Sequence, residues 1–247
     1  MRVAAIYDIH GNLPALEAVL GEIRAEGVDE IVVGGDVVPG PMPRETLARL
    51  LELDVPIHFI RGNGDRVVLN AMEGAEPGEV PEPYRAGIHW AATEMRGYEP
   101  VLAGWPLTLA LEIPGLGEVF FCHATPRSDS EIFTRRTPEA RLVPVFDGVG
   151  APLVVCGHTH MQLDRTVGPT RVVNAGSVGM PFGEPGAYWL LLGPGVELRH
   201  TRYDLEAAAA RIRATAYPEA EAFAARNVLQ PPTEADMLDA WAGAELE

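Results

Sequence analysis

Seven residues able to hold metal cations recur where short apolar runs of this 247-residue chain end. Asp8 and His10 follow Arg2–Tyr7 (RVAAIY), Asp36 follows Glu30–Val33, and Asn63 follows Ile57–Ile60. His123 follows Glu118–Cys122, and His158 and His160 follow Leu153–Cys156. Each run has the length and bounding turn residues of a buried strand. In an open α/β sheet, strand ends along one edge form the binding crevice, so these motifs are expected to meet there. The Asp-x-His and His-x-His spacings fit, because residues two apart in extended backbone point the same way. Taken singly, Asp8, Asp36 and Asn63 are also ordinary cap or turn residues; their joint arrangement with three histidines is not.

The donors are oxygen and nitrogen without thiolate. That set favours Mn²⁺, Fe or Zn²⁺ over a calcium cage or an iron–sulfur cluster. There are too many donors for one tetrahedral ion, and a carboxylate such as Asp36 could bridge two. Paired ions about 3.5–4 Å apart are suited to phosphoryl hydrolysis.

The elements around these motifs follow from periodicity and turn residues. Asn12 is placed to cap a helix with Pro14 in its first turn; Leu16, Val19, Leu20 and Ile23 form its apolar face and Gly27 ends it. With a helix over Glu45–Leu53, the order β-α-β-α-β predicts parallel strands covered by helices. Gly74–Pro83 is expected to be a loop, Arg85–Met95 a helix, and Leu107–Ile113 with Glu118–Cys122 a hairpin. Gln162–Val167, Arg171–Val173, Tyr188–Leu192 and Val196–Arg199 predict an antiparallel region. Helices are expected over Leu205–Ala214, Glu219–Asn227 and Glu234–Ala242. His58, His89 and His200 fall inside regular elements and are expected to be structural or surface residues.

Composition narrows the function. A formal net charge of −16 disfavours long polyanions, so no stable nucleic-acid complex is expected; a small phosphate compound remains compatible. All the basic residues are arginine. No apolar run is long enough to span a membrane, and the N-terminus lacks a signal peptide's apolar stretch; a cytoplasmic location is expected by default. Cys122 and Cys156 are too few for a disulfide framework and are expected to be buried thiols. Oligomeric state has no sequence signal.

The order DIH, GGD, RGNGD, CH and GHTH resembles the calcineurin-like metallophosphoesterase superfamily, whose pattern is D-x-H, G-D, G-N-H-D/E, H and G-H-x-H. Asn174–Pro181 (NAGSVGMP) is similar to the NPGSVGQP segment of the small prokaryotic branch related to diadenosine tetraphosphatases and phosphodiesterases. Tyr203-Asp204 before an Ala-rich helix also looks like that branch. The resemblance implies an α+β fold, a four-layer α/β/β/α sandwich in which two facing mixed β-sheets are flanked by helices. It would form one domain over 1–247, with a helical extension at about 204–247.

The resemblance also implies a phosphodiesterase or phosphatase using two divalent ions, Mn first, with Fe, Zn, Ni or Mg as alternatives. Asp8, His10 and His160 would bind the first ion, and Asn63, His123 and His158 the second. Asp36 would bridge them with a hydroxide nucleophile. A dinucleotide polyphosphate or pyrophosphate hydrolase, and a non-catalytic metal-binding scaffold of the same fold, are the alternatives. Gly64 stands where many members carry a histidine that assists the leaving oxygen, which leaves Asp65, that histidine's usual partner, free to pair with Arg66 instead. Arg127 suits bidentate phosphate contact, or equally a salt bridge to Asp129 or Glu131. Ser177 is expected to line the cleft or shape a turn.

Overall fold

Strand β1 (Val3–Ile6) shows how the layers arise. Val3 and Ala5, with Tyr7 just beyond the strand, enter one apolar cluster, whereas Ala4 and Ile6 enter another. Alternating side chains of a strand face opposite sides of its sheet, so a strand buried on both faces belongs to the middle of a layered stack.

The structure is a computed structural model that describes residues 1–78 and 80–246. Glu79, inside the loop expected over Gly74–Pro83, and Glu247, at the end of the expected domain, lie outside the described residues. After β1 come α1 (Leu13–Glu26), β2 (Glu30–Val33), α2 (Pro43–Leu51), β3 (Ile57–Phe59), α3 (Asn63–Met72), α4 (Glu82–Glu94) and α5 (Glu99–Ala103). The second part contains β4 (Thr108–Ile113), β5 (Gly117–Cys122), α6 (Glu139–Phe146), β6 (Leu153–Cys156), β7 (Leu163–Val167) and β8 (Thr170–Asn174). The chain then forms β9 (Ala187–Leu192), β10 (Val196–Thr201), α7 (Leu205–Arg213), α8 (Ala220–Phe223) running into a π-helical turn at Ala224–Leu229, and α9 (Glu234–Ala240).

Two five-stranded mixed sheets result, with orders β10-β9-β1-β2-β3 and β4-β5-β6-β8-β7. In the first, β1, β2 and β3 run parallel and β9 and β10 antiparallel. In the second, β5, β6 and β8 run parallel and β4 and β7 antiparallel. The sheets face each other across Val3, Ala5, Tyr7 and Val32 on one side and Val119, Phe121, Leu153 and Val155 on the other. Helices α1 to α4 cover the first sheet's outer face, and Leu142, Val145 and Phe146 of α6 cover the second's. The expected four-layer fold is therefore observed in a single domain. Helices α7 and α8 and the π-helical turn pack as a satellite cluster on Leu13 and Met42.

Asn12 caps α1 as expected, accepting from the Ala15 N–H, and Gly27 closes it in left-handed conformation. Helices α3, α5 and α6 lay outside the periodic segments. The first begins Asn-Gly-Asp, which has turn chemistry, and α6 contains Pro144, which removes a donor from the helix interior. The expected helix over Glu219–Asn227 is instead a short α8 and the π-helical turn. Both cysteines are buried free thiols. Among the described residues no helix is long and apolar enough to cross a membrane.

Candidate metal centre

The parallel strands β1, β2, β3, β5 and β6 deliver Asp8, Asp36, Asn63, His123, His158 and the neighbouring His10 and His160 to one end of the sandwich. Asp8, Asp36 and His123 are at most 3% exposed, and His10 and His160 are each 8% exposed. Two overlapping groups lie close enough to share an ion: Asp8, His10 and His160, and Asp8, Asp36 and His123. His10 Nε2 is 3.3 Å from His160 Nε2, and His123 Nε2 is 3.0 Å from Asn63 Oδ1. The ring of His158 meets that of His123 edge-on, with centroids 5.3 Å apart.

Both carboxylates straddle the two sets. Asp8 Oδ1 lies 3.4 Å from His160 Nε2 and 3.8 Å from His123 Nε2. Asp36 Oδ2 lies 3.7 Å from His10 Nε2 and 3.5 Å from His123 Nε2. Either carboxylate could therefore be shared, not Asp36 alone.

Backbone conformation, rather than strand pleat, makes these residues converge. Asp8, His10, Asp36, His158 and His160 all have positive φ, between 48° and 68°. Apart from Leu246, they are the only non-glycine residues so placed among those described. Asp-x-His and His-x-His are thus not extended dipeptide repeats, as the spacing suggested. Each is a turn that reverses the side chains into the cleft. Such strain persists only where the surroundings over-determine it. Here they do: His10 and Gly11 donate backbone N–H bonds to the Asp36 and Val37 carbonyls, and the Asp8 N–H donates to Gly35. Ser177 Oγ donates to the Asp8 carbonyl and accepts from the Met180 N–H. Ser177 is fully buried, so it staples turns together rather than lining the cleft.

Carbonyl partners set the imidazole tautomers, since a carbonyl can only accept. His123 Nδ1 donates to Gly34 O and His160 Nδ1 to Met180 O, at 2.9 Å and 2.7 Å. Both therefore turn Nε2 into the centre, where, once unprotonated, it can bind a cation. His158 does the reverse: its Nε2 donates to Ser130 O at 3.1 Å, leaving Nδ1 as its donor atom. This outer hydrogen bonding is the usual way a metal-binding histidine is oriented.

The residues fit a bound cation. Asp8 Oδ1 is buried among these groups and has no hydrogen-bond donor, although a buried carboxylate oxygen is costly to leave unpaired. Burial disfavours the imidazolium of His123, but Asp36 and Asp8 overcome it and hold its pKa up at about 10. The pocket thus draws in positive charge. Burial also opposes ionisation of Asp8 and Asp36, yet the histidines beside them, His160 first for Asp8 and His123 first for Asp36, hold both pKa values low. His158, through burial and the neighbouring His123, falls to about 4 and is neutral.

The remaining candidates sit at the rim or behind the centre. Asp65 does not pair with Arg66. Its carboxylate accepts from the backbone N–H groups of Gly62, Asp36 and Val38, tying the Gly-Asn-Gly-Asp turn to the loop carrying Asp36. Burial and the charge of Asp36 raise its pKa to about 7, against the pull of those N–H groups. Arg66 instead pairs with Asp129. Arg127 forks onto Glu131 at 2.6–3.0 Å, with its side chain 52% exposed, which is the salt-bridge alternative. His89 lies 3.7 Å from Glu76, His58 pairs with Glu30, and His200 stacks on Tyr188. Ser130 and Met180 were not singled out by sequence, because carbonyl acceptors carry no residue signature; Asp129 was named only as a partner for Arg127.

Gly64 has a structural cause. Its N–H donates to Asp36 Oδ1 at 2.7 Å, and a Cβ built there would come within 2.8 Å of the Val38 carbonyl oxygen and 2.9 Å of Pro39. The loop after Asp36 fills the space a side chain would need.

The chain is similar to known proteins in sequence and in fold. Residues 1–192 match the calcineurin-like phosphoesterase superfamily domain. A protein of Methanocaldococcus jannaschii described as "Uncharacterized protein MJ0912" is 32% identical over 162 residues, covering 64% of this chain and 62% of its own length. The chain therefore spans less than two thirds of that relative. A metallophosphoesterase from Sphaerobacter thermophilus superposes with a TM-score of 0.73 at 26% identity, over 92% of this chain and 99% of that one. The hypothetical protein PH1004 of Pyrococcus horikoshii shares the fold, with a TM-score of 0.76 at 23% identity over 90% and 97% of the two chains. With motifs, fold and matched domain in accord, this chain belongs to the calcineurin-like phosphoesterase superfamily.

Proposed function

We propose that the protein is a dinuclear metal-dependent phosphoesterase acting on phosphodiesters or phosphoanhydrides with good leaving groups. The observation that carries this reading is the unpaired, buried Asp8 Oδ1, set where the two donor groups overlap. Asp8, His10 and His160 would hold one ion, and Asn63, His123 and His158 the other, with Asp36 between them. Bound divalent ions supply Lewis-acid polarisation of a phosphoryl oxygen and ionise water near neutral pH. Mn²⁺ is our first choice.

The chain's own residues orient that chemistry. Gly34 and Met180 keep the Nε2 atoms of His123 and His160 turned inward. Asp65 locks the backbone on both sides of Asp36. Neither Asp65 nor the ion-paired Arg127 is given a proton-transfer or phosphate-binding role. General acid assistance is typically worth about 10²–10⁴-fold, and Gly64 cannot offer it. Substrates whose leaving group needs no proton are therefore preferred over alkyl monoesters. The same reasoning keeps dinucleotide polyphosphate and pyrophosphate bonds as a second substrate class. The two buried thiols suit a reducing compartment, and we place the enzyme in the cytoplasm.

Turnover of bis(p-nitrophenyl) phosphate with added Mn²⁺, set against p-nitrophenyl phosphate, phosphoserine and diadenosine polyphosphates, tests the reading. Chelator should abolish activity and Mn²⁺ should restore it. Binding of metal without turnover of any of these compounds would favour a scaffold role. A strong preference for phosphoserine would overturn the leaving-group argument.

A further inference from the structure

The second ion's donors are scattered. Asn63 opens α3, His123 follows β5, and His158 follows β6. One surface loop links the elements that carry them: it starts at His123, bonds the His158 ring, and is tied by an ion pair to α3. The loop leaves β5 at His123 and folds back on itself through mutual Thr125–Ser128 backbone bonds and a Thr125 Oγ1 bond to Glu131. At its far end the Ser130 carbonyl accepts from His158 Nε2. Beside Ser130, Asp129 takes a two-pronged bond from Arg66, Nε at 2.6 Å and Nη2 at 3.2 Å. Arg66 stands three residues after Asn63, on the same side of the first turn of α3. The pair is mostly shielded, with Arg66 28% and Asp129 15% exposed.

We propose that Arg66 and Asp129 are positioning residues for the second ion, a proposal that rests on the two-ion reading above. The argument is geometric. His158 can present Nδ1 inward only while its Nε2 proton has the Ser130 carbonyl to bond. That carbonyl sits between two anchors: on one side Asp129 is held by the guanidinium on α3, and on the other the Ile132 carbonyl accepts from the Leu246 N–H and Phe133 is buried in the second core. Arg66 thereby couples the helix carrying Asn63 to the loop orienting His158. The fork geometry gives direction as well as attraction, which a lysine would not reproduce. The first ion's donors need none of this. His160 is oriented by Met180, and the Asp8 carboxylate by the His158 backbone N–H, which does not depend on the His158 ring or on Ser130.

The test is calorimetric Mn²⁺ titration of full-length protein, in which the two sites are resolved by affinity. Wild type should bind two ions. Arg66→Ala should leave the first site unchanged and weaken the second about 10–100-fold, the usual cost of losing an outer-shell partner. Arg66→Lys should recover only part of the loss. If Arg66→Ala does not fold, Asp129→Asn, which keeps shape and removes charge, gives the same readout. Equal weakening of both sites, or no change in either, overturns the proposal while leaving two-ion chemistry intact. A wild type that binds one ion overturns the two-ion reading, and this proposal with it.

Discussion

The two halves of the metal centre are built differently. The half around Asp8, His10 and His160 is sealed: Asp8 is fully buried and the histidines nearly so, and the Met180 carbonyl that orients His160 belongs to the chain's well-packed Asn174–Pro181 segment. The half around Asn63, His123 and His158 is open on one side, and its His158 depends on a carbonyl of a surface loop. Buried scaffolding gives precision, and a loop gives access. The difference teaches that, on the proposed two-ion reading, the two sites would not be equivalent. The sealed half should load first and tightly, and the open half should load later and face the substrate.

The largest test of that asymmetry removes what both halves share. Asp36→Ala should empty both sites and drop turnover to background, whereas Asn63→Ala should empty only the open half. Metal content by mass spectrometry checks this; two ions retained in Asp36→Ala would break the comparison.

The next effect is on pH. In the metal-free protein His123 keeps its proton up to about pH 10, because Asp36 and Asp8 overcome burial. A metal must displace that proton. Affinity should therefore rise about tenfold per pH unit through the neutral and mildly alkaline range, as for any ligand that must deprotonate. Titrations in buffers of different ionisation heat should register one proton released. The same raised pKa makes His123 stabilise the metal-free fold fully below its unfolded value near 6.5. That contribution is lost as pH climbs toward 10, so His123→Gln should flatten the metal-free protein's decline over this window.

A smaller effect concerns Gly64. Gly64→His should destabilise the fold by about 1–3 kcal/mol through overpacking against Val38 and Pro39. It should not create monoesterase activity, since the loop must move before an imidazole can enter. Denaturant midpoints and phosphoserine turnover measure both. The smallest effect is for Arg127→Ala, expected to leave stability and metal content at the wild-type level. A raised KM there would restore Arg127 as a phosphate contact.

Much of this organisation was legible in the sequence because burial and chemistry leave residue-level traces. Strands with apolar runs, the Asn12 cap and the Gly27 stop were all visible. So was the gathering of Asp8, Asp36, Asn63, His123 and His158 at strand ends. What escaped has no such trace. Helix α3 hides behind a turn-like start, and α6 behind its internal proline. The convergence of Asp-x-His comes from left-handed turns and not from pleat, a distinction that spacing alone does not draw. Asp65 was visible as an acid but not as an acceptor of three backbone N–H groups. The anchors Gly34, Met180 and Ser130 act through carbonyls that every residue possesses.

The left-handed turns set evolution and engineering against each other at this site. Asp8, His10, Asp36, His158 and His160 each hold a conformation that glycine adopts without steric penalty. Glycine there would relieve backbone strain and remove a ligand in the same step, and at Asp8 and Asp36 it would also strip the acceptors of the His158 and Gly64 N–H groups. Only at the three histidines does selection for backbone ease, blind to turnover, point toward an inert chain.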